Sequence, residues 1–206
     1  MGRFLFLAVF ILLVGCAGTA RLPIHKVVDA TTIRTKVVLL QKEDVELAYQ
    51  KTAVREFEAA LLKEPVGHVL RTTFGGERVD LVLITRKEVQ TIDSFSPEVV
   101  TEIGAKSDLH VLIVLEPLKV YHSEGSSRRG EEFCVTRKAE AIVSVKVADA
   151  RKGDVILAGV YDGKAEARQC SKGIRRTDKL PTPEALVVKA LKRAASKFSK
   201  EFWSNL

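Results

Sequence analysis

Residues 133–148, FCVTRKAEAIVSVKVA, and residues 155–170, VILAGVYDGKAEARQC, flank the hexapeptide 149–154, DARKGD. Apolar and polar residues alternate through much of each flank, which is the period of a strand with one buried face, and the Asp and Gly of the link supply turn chemistry. The pair predicts a hairpin. Centring it on Lys152 makes opposite residue numbers sum to 304 and sets Val147 against Leu157, Val143 against Tyr161 and Ala139 against Ala165 on an apolar face. On the other face Glu140 meets Lys164 and Lys138 meets Glu166, each opposite-charge pair contributing about 0.2–1 kcal/mol. A one-residue slip would turn the apolar face to water; a different turn would shift the centre by half a residue or more. This register, chosen without reference to the cysteines, puts Cys134 opposite Cys170.

Working outward, residues 36–40 (KVVLL) predict a first strand. Asp44 can cap a helix running to about residue 63, whose Ala53, Val54, Phe57, Ala60 and Leu61 recur at helical spacing until Glu64-Pro65 ends it. Residues 79–85 (VDLVLIT) predict a short strand, and Ser96-Pro97-Glu98 opens a short helix that Gly104 can close. Residues 109–120 predict another strand, in which Pro117 marks a bulge or an edge. Thr182-Pro183-Glu184 starts a final helix with Val187, Leu191, Ala194, Phe198 and Phe202 on one face, ended by Trp203. This order predicts the α/β class: a mixed sheet with a C-terminal antiparallel three-stranded meander and helices packed on the sheet as a two-layer sandwich. The chain has 206 residues, 46% hydrophobic and 29% charged, a balance that fits one folded domain and excludes wholesale disorder. No repeat of fixed period is present, which excludes solenoids and propellers.

The address lies at the N-terminus. Met1-Gly2-Arg3 is a short cationic start, and residues 4–13 (FLFLAVFILL) form an apolar run of the length of a signal-peptide core, where a membrane span needs about twenty residues. Leu13-Val14-Gly15-Cys16 resembles the bacterial lipobox. The resemblance implies signal peptide 1–15, an acylated Cys16 (palmitate and related chains) with a tether over 16–34, and a single periplasmic α/β domain over 35–206. In Gram-negative lipoproteins an Asp after the cysteine retains the protein in the inner membrane. Ala17 is not that signal, so the resemblance implies lipid anchoring at the periplasmic face of the outer membrane, or at the cell surface in a Gram-positive source. Lys and Arg number 33 against 26 Asp and Glu, a net charge of +7 that favours anionic partners. Export argues against nucleic acid among them, and no zinc-finger spacing or aromatic RNP signature is present. Export also leaves Cys134 and Cys170 in an oxidising compartment, where a disulfide is expected. Closing that loop would stabilise by about 4 kcal/mol in the chain-entropy model.

Residues 103–113 (IGAKSDLHVLI) and 147–155 (VADARKGDV), followed by an amphipathic C-terminal helix, resemble lipoproteins related to the curli secretion component and the penicillin-binding-protein activators. That resemblance implies an accessory role in the cell envelope. The curli component follows its lipidated cysteine with a proline-rich clamp, which residues 17–22 (AGTARL) lack, so pore formation is not carried over. A lipopolysaccharide-assembly lipoprotein that plugs an outer-membrane barrel has a comparable order of elements.

No catalytic constellation emerges. His25, His68, His110 and His122 are scattered, with no metal-ligand spacing; His110 is expected on a strand face and His122 in a loop. Ser126-Ser127 lacks a nucleophile-elbow setting, Gly75-Gly76 lacks the Lys-Ser/Thr of a phosphate loop, and no cofactor or metal is expected. One binding constellation stands out. A loop over 122–131 with Arg128 and Arg129 would lie beside 171–180 with Lys172, Arg175, Arg176 and Lys179, against Glu124, Glu131, Glu132 and Asp178. This basic lip could meet phosphates, carboxylates or an acidic partner surface; two merely solvated loops would have the same composition. The expected function is non-enzymatic: an envelope lipoprotein acting as accessory, activator or scaffold for an assembly or secretion machine, with the membrane and an envelope protein as partners. The alternative is a periplasmic binding or transport module for an anionic glycan or lipid such as lipopolysaccharide, and an enzyme acting on peptidoglycan ranks third.

Overall fold

The two flanks of DARKGD pair from end to end in the computed structural model, which describes residues 24–28, 30–63, 80–85 and 88–205. The described elements are α1 (Ile24–Val27), β1 (Thr32–Leu40), α2 (Leu47–Lys63), β2 (Asp80–Leu83), β3 (Thr91–Ile92), α3 (Pro97–Ser107), β4 (Val111–Arg129), β5 (Glu132–Asp149), β6 (Val155–Lys172) and α4 (Pro183–Ser204). One sheet runs β2-β1-β4-β5-β6, with β3 also on β1. The β1 strand is parallel to β2, β3 and β4, and the last three strands form an antiparallel meander. This is the α/β arrangement of mixed sheet and packed helices that the element order predicts.

The β5–β6 register is the one read from the sequence: Cys134 lies against Cys170, Ala139 against Ala165, Val143 against Tyr161 and Val147 against Leu157, with a shift only after Val147. A second shift sits between Pro117 and Lys119 of β4, where proline has no N–H to give the ladder.

The main core lies between the sheet and α2 with α4. Val37, Leu39, Ile113, Leu115, Val143, Val145 and Val147 meet Phe57 and Leu61 from α2 and Val187, Leu191, Phe198 and Phe202 from α4. Phe198 touches three rings, with centroids 5.7 Å from Phe57, 5.3 Å from Tyr161 and 5.7 Å from Phe202. Close approach is built in: a Cβ on Gly163 would stand 1.9 Å from the Ala190 carbonyl oxygen, so α4 rests on the sheet where β6 carries no side chain. The opposite face has a smaller cover. There Val100 and Ile103 of α3 pack on Val38, Leu112, Val114 and Ala148.

Four expectations change. The β4 strand does not stop near residue 120 but continues to Arg129, because its backbone stays paired with β5 as far as Glu132. Gly104 does not close α3, which runs on to Ser107 and is capped by Asp108 at φ 49°. Gly104 is instead a packing residue, since a Cβ there would lie 2.1 Å from the Ala150 carbonyl oxygen. Asp44 sits in a turn and does not cap α2; the carbonyl of Glu46 accepts the N–H groups of Tyr49 and Gln50 at 2.9 and 3.1 Å. The folded part starts before residue 35: Ile24, Val28 and Ile33 are buried, and the Ile24 N–H bonds the Asn205 carbonyl. The short β3 is an addition. The signal stretch, the lipobox with Cys16, His68 and Gly75-Gly76 lie outside the described residues.

Ser96 and Thr182 cap α3 and α4 as their sequences predict, each accepting an N–H three residues on, at 3.3 and 3.2 Å. Gly104→Ala should gain helix propensity of up to about 1 kcal/mol yet lose more to the Ala150 clash, with a net cost of about 1–3 kcal/mol. A urea unfolding midpoint at or above that of the parent would show that the helix and turn are not in contact as described.

Candidate functional site

The β1 strand reaches β4 only from Val111 to Leu115. Beyond Leu115, among the described residues, the meander continues as a three-stranded blade. At about 3.3 Å per residue its free part, to Arg129, is roughly 45 Å long. Successive residues of a strand point to opposite faces, so every row of the blade belongs either to the face carrying α2 and α4 or to the opposite, open face.

The open face is a polar lattice. Glu140 accepts the Tyr121 hydroxyl at 2.7 Å and pairs with Lys164 at 3.0 Å, while Lys138 pairs with Glu166 at 3.5 Å. Lys119 stands 4.5 Å above the Tyr121 ring. These are the cross-strand pairs the register calls for, with Tyr121 added from β4. The Tyr121 hydrogen bond, then the Lys164 contact, holds the Glu140 carboxyl below its ordinary range. Farther out, the Cys134–Cys170 disulfide crosses between β5 and β6.

At the tip of the helix-bearing face Glu124 is the hub. Its carboxylate receives Arg137 Nε at 2.6 Å and also the Arg175 guanidinium, and Arg137 donates onward to the Pro181 carbonyl at 2.9 Å. The hydrogen bond from Arg137, helped by Arg175 and opposed by partial desolvation, holds Glu124 below its ordinary value. Residues 173–182 fold back along this face, held by Gln169, whose amide donates to Asp178 at 2.9 Å and whose carbonyl accepts the Lys179 N–H at 3.0 Å.

The six residues of the expected basic lip therefore do not converge on one face. Residues 122–129 are strand, not loop, and strand alternation separates Arg128 from Arg129. Arg128 lies 4.6 Å over the Phe133 ring, whereas Arg129 shares a row with Glu132 and Lys172 on the open face. Arg175 is spent on Glu124, and the Gln169 hydrogen bond, with smaller help from the charges of Arg176 and Lys179, holds the Asp178 carboxyl below its ordinary value. His122 is exposed on β4, and His110 precedes that strand, its Nδ1 accepting the Arg34 N–H at 3.1 Å. The Glu124 hub is missed by sequence reasoning because its partners, Arg137 and Arg175, become neighbours only once 122–129 is paired to β5.

No family model matches the chain. An uncharacterized protein of Aquifex aeolicus (strain VF5) is 30% identical over 212 residues, covering 100% of both chains. Among solved structures, a PelC dodecamer from Paraburkholderia phytofirmans is 8% identical, covers 81% of this chain and 88% of that one, and superposes with a TM-score of 0.34. A minor lipoprotein from Acinetobacter baumannii is 9% identical over 84% of this chain and 93% of that one, with a TM-score of 0.36.

A carboxylate whose folded pKa lies below its unfolded value of about 4.3 gives stability that is fully present above that value and is lost as pH falls through the folded one. Backbone exchange at 124–129 and 173–178 should therefore stay flat from pH 7 to about pH 5 after correction for intrinsic rates. Protection should then fall below about pH 4, and Glu124→Gln should lack most of that fall. Equal acid sensitivity in the variant would remove Glu124 as the hub. Replacing both Cys134 and Cys170 by Ser should cost about 2–4 kcal/mol in denaturant unfolding; a cost near zero would mean that the ladder alone fixes the blade.

Proposed function

We propose that this chain, which belongs to the same family as the Aquifex aeolicus protein, is a lipid-anchored, non-enzymatic accessory of a cell-envelope assembly or secretion machine. The lipobox-like Leu13-Val14-Gly15-Cys16 supplies the anchor in this reading, two or three acyl chains giving effectively permanent attachment at about 0.8 kcal/mol per buried methylene. The observation that carries the reading is the blade. The meander runs roughly 45 Å past the end of its pairing with β1; α4 covers one face only as far as about Ala139 and His122, and the polar lattice on the other face, with the exposed strand end 123–129, is better explained as a surface offered to another molecule than as part of the core.

No helix among the described residues is long and apolar enough to cross a membrane, so in this reading the acyl chains hold the protein at the periplasmic face of the outer membrane. The other reading, an anionic glycan or lipid held at the basic residues of the tip, is less well supported because Arg128 and Arg129 face opposite ways and Arg175 is already paired.

The test is to express the full chain and Cys16→Ala in a Gram-negative host, fractionate the cells, and cross-link them through residues of the open face. The proposal expects an acylated peptide at Cys16, outer-membrane fractionation lost in the variant, and one dominant envelope protein captured. An unmodified cytoplasmic product would sink the anchor. Copurifying lipopolysaccharide without a protein partner would favour the ligand-binding reading.

A further inference from the structure

The free edge of β4 points to a second copy of this chain. From Glu116 to Arg129 the outer edge of β4 has no strand beside it among the described residues, leaving a row of backbone donors and acceptors that can template another strand. The sequence there, SEGSSRR at 123–129, is exposed throughout and contains no β-branched or aromatic residue. β-branched and aromatic residues favour strands and Gly and Glu do not, so a strand of this composition gains most from a second neighbour.

We propose that two copies pair antiparallel through β4 about a two-fold axis at Ser126, joining the two meanders into one continuous sheet. With Ser126 opposite itself, Glu124 lies across from the second copy's Arg128, and Arg128 across from its Glu124. Both are on the helix-bearing faces, which the axis keeps on the same side. Gly125 meets the second copy's Ser127, so the centre holds only small side chains, and Ser123 meets Arg129 on the open face. No like charges are opposed in these rows. The groups have capacity to spare: Arg128 uses Nε on the Gly130 carbonyl at 3.0 Å and keeps four further N–H donors, while a carboxylate such as Glu124 accepts more than two bonds. The contact is isologous and therefore closes as a dimer.

The opposite edge of the blade is a poorer template. On β6 the Lys164 carbonyl is taken by Arg193, Lys197 pairs with Asp162 at 2.6 Å, and Gln169 is tied to 178–179.

This inference stands apart from the proposed anchor and partner, and it is tested with the full chain in detergent micelles. Sedimentation velocity over a concentration series should show a monomer–dimer equilibrium. Mild copper-phenanthroline oxidation of Ser126→Cys should yield a covalent dimer; Ser126 lies opposite Val135, on the face away from Cys134. Arg128→Glu should raise the dimer dissociation constant about tenfold or more, whereas Arg176→Glu should leave it unchanged. A monomer at every concentration, or cross-linking through Gln169→Cys in place of Ser126→Cys, would overturn the proposal. Because Ser126→Cys leaves every charge in place, it decides the matter even if Arg128→Glu folds poorly.

Discussion

The β5 strand is hydrogen-bonded on both sides along its whole length, to β4 from Asp149 out to Glu132 and to β6 from Glu132 back to Ala148. It is the spine of the molecule. Its inner face, from Ala139 to Val147, supplies the central stripe on which α4 lies, and its outer face organises the charged lattice. Because the side-chain period along a strand is two, one register decides both faces together. A slip would expose the apolar stripe, unmake the Glu140–Lys164 and Lys138–Glu166 pairs and separate the cysteines, so independent terms select the same alignment.

The base of the sheet is locked by backbone contacts. The turn after β5 lies against α3 with the Ala150 carbonyl in the space left by Gly104, and the Ala150 N–H bonds the His110 carbonyl at 2.8 Å. His110 in turn takes the Arg34 N–H on its ring and gives its own N–H to the Arg34 carbonyl. The stretches 103–113 and 147–155, read separately as family-like motifs, are thus two halves of one joint. On the other side of the sheet, Gly163 does for α4 what Gly104 does for the turn. Small residues at both places set how closely the layers approach, and the large rings of Phe57, Phe198 and Phe202 fill the space that remains.

Fold and blade differ in legibility for a physical reason. Where one face is buried, the alternation of Val and Ala with Lys and Glu records that burial, as in β5 and the inner half of β6. Beyond the helices the β4 side chains are exposed on both faces, even where Cys134 and Val135 of β5 opposite them are buried, so SEGSSRR carries no alternation and has the composition of a loop. Pairing to β5 overrides that propensity. The same override dissolves the basic lip, because a loop can bring Arg128 and Arg129 to one ligand whereas a strand sends them to opposite faces. Gly104 misleads in a related way: glycine near the end of a helical pattern signals a cap, and only the packed turn shows that its missing side chain serves an inter-element contact.

By itself the sequence determined the hairpin, its register, the Cys134–Cys170 pairing, the caps at Ser96 and Thr182 and the apolar faces of α2 and α4. All are local or period-based, so residue spacing contains them. The length of β4, the close seats at Gly104 and Gly163, the Glu124 hub and the edge beyond Leu115 that no described strand pairs are visible only in the folded chain. Each depends on what distant segments do or do not place beside a residue, and hydrophobic spacing records burial, not which backbone groups are left without a neighbour.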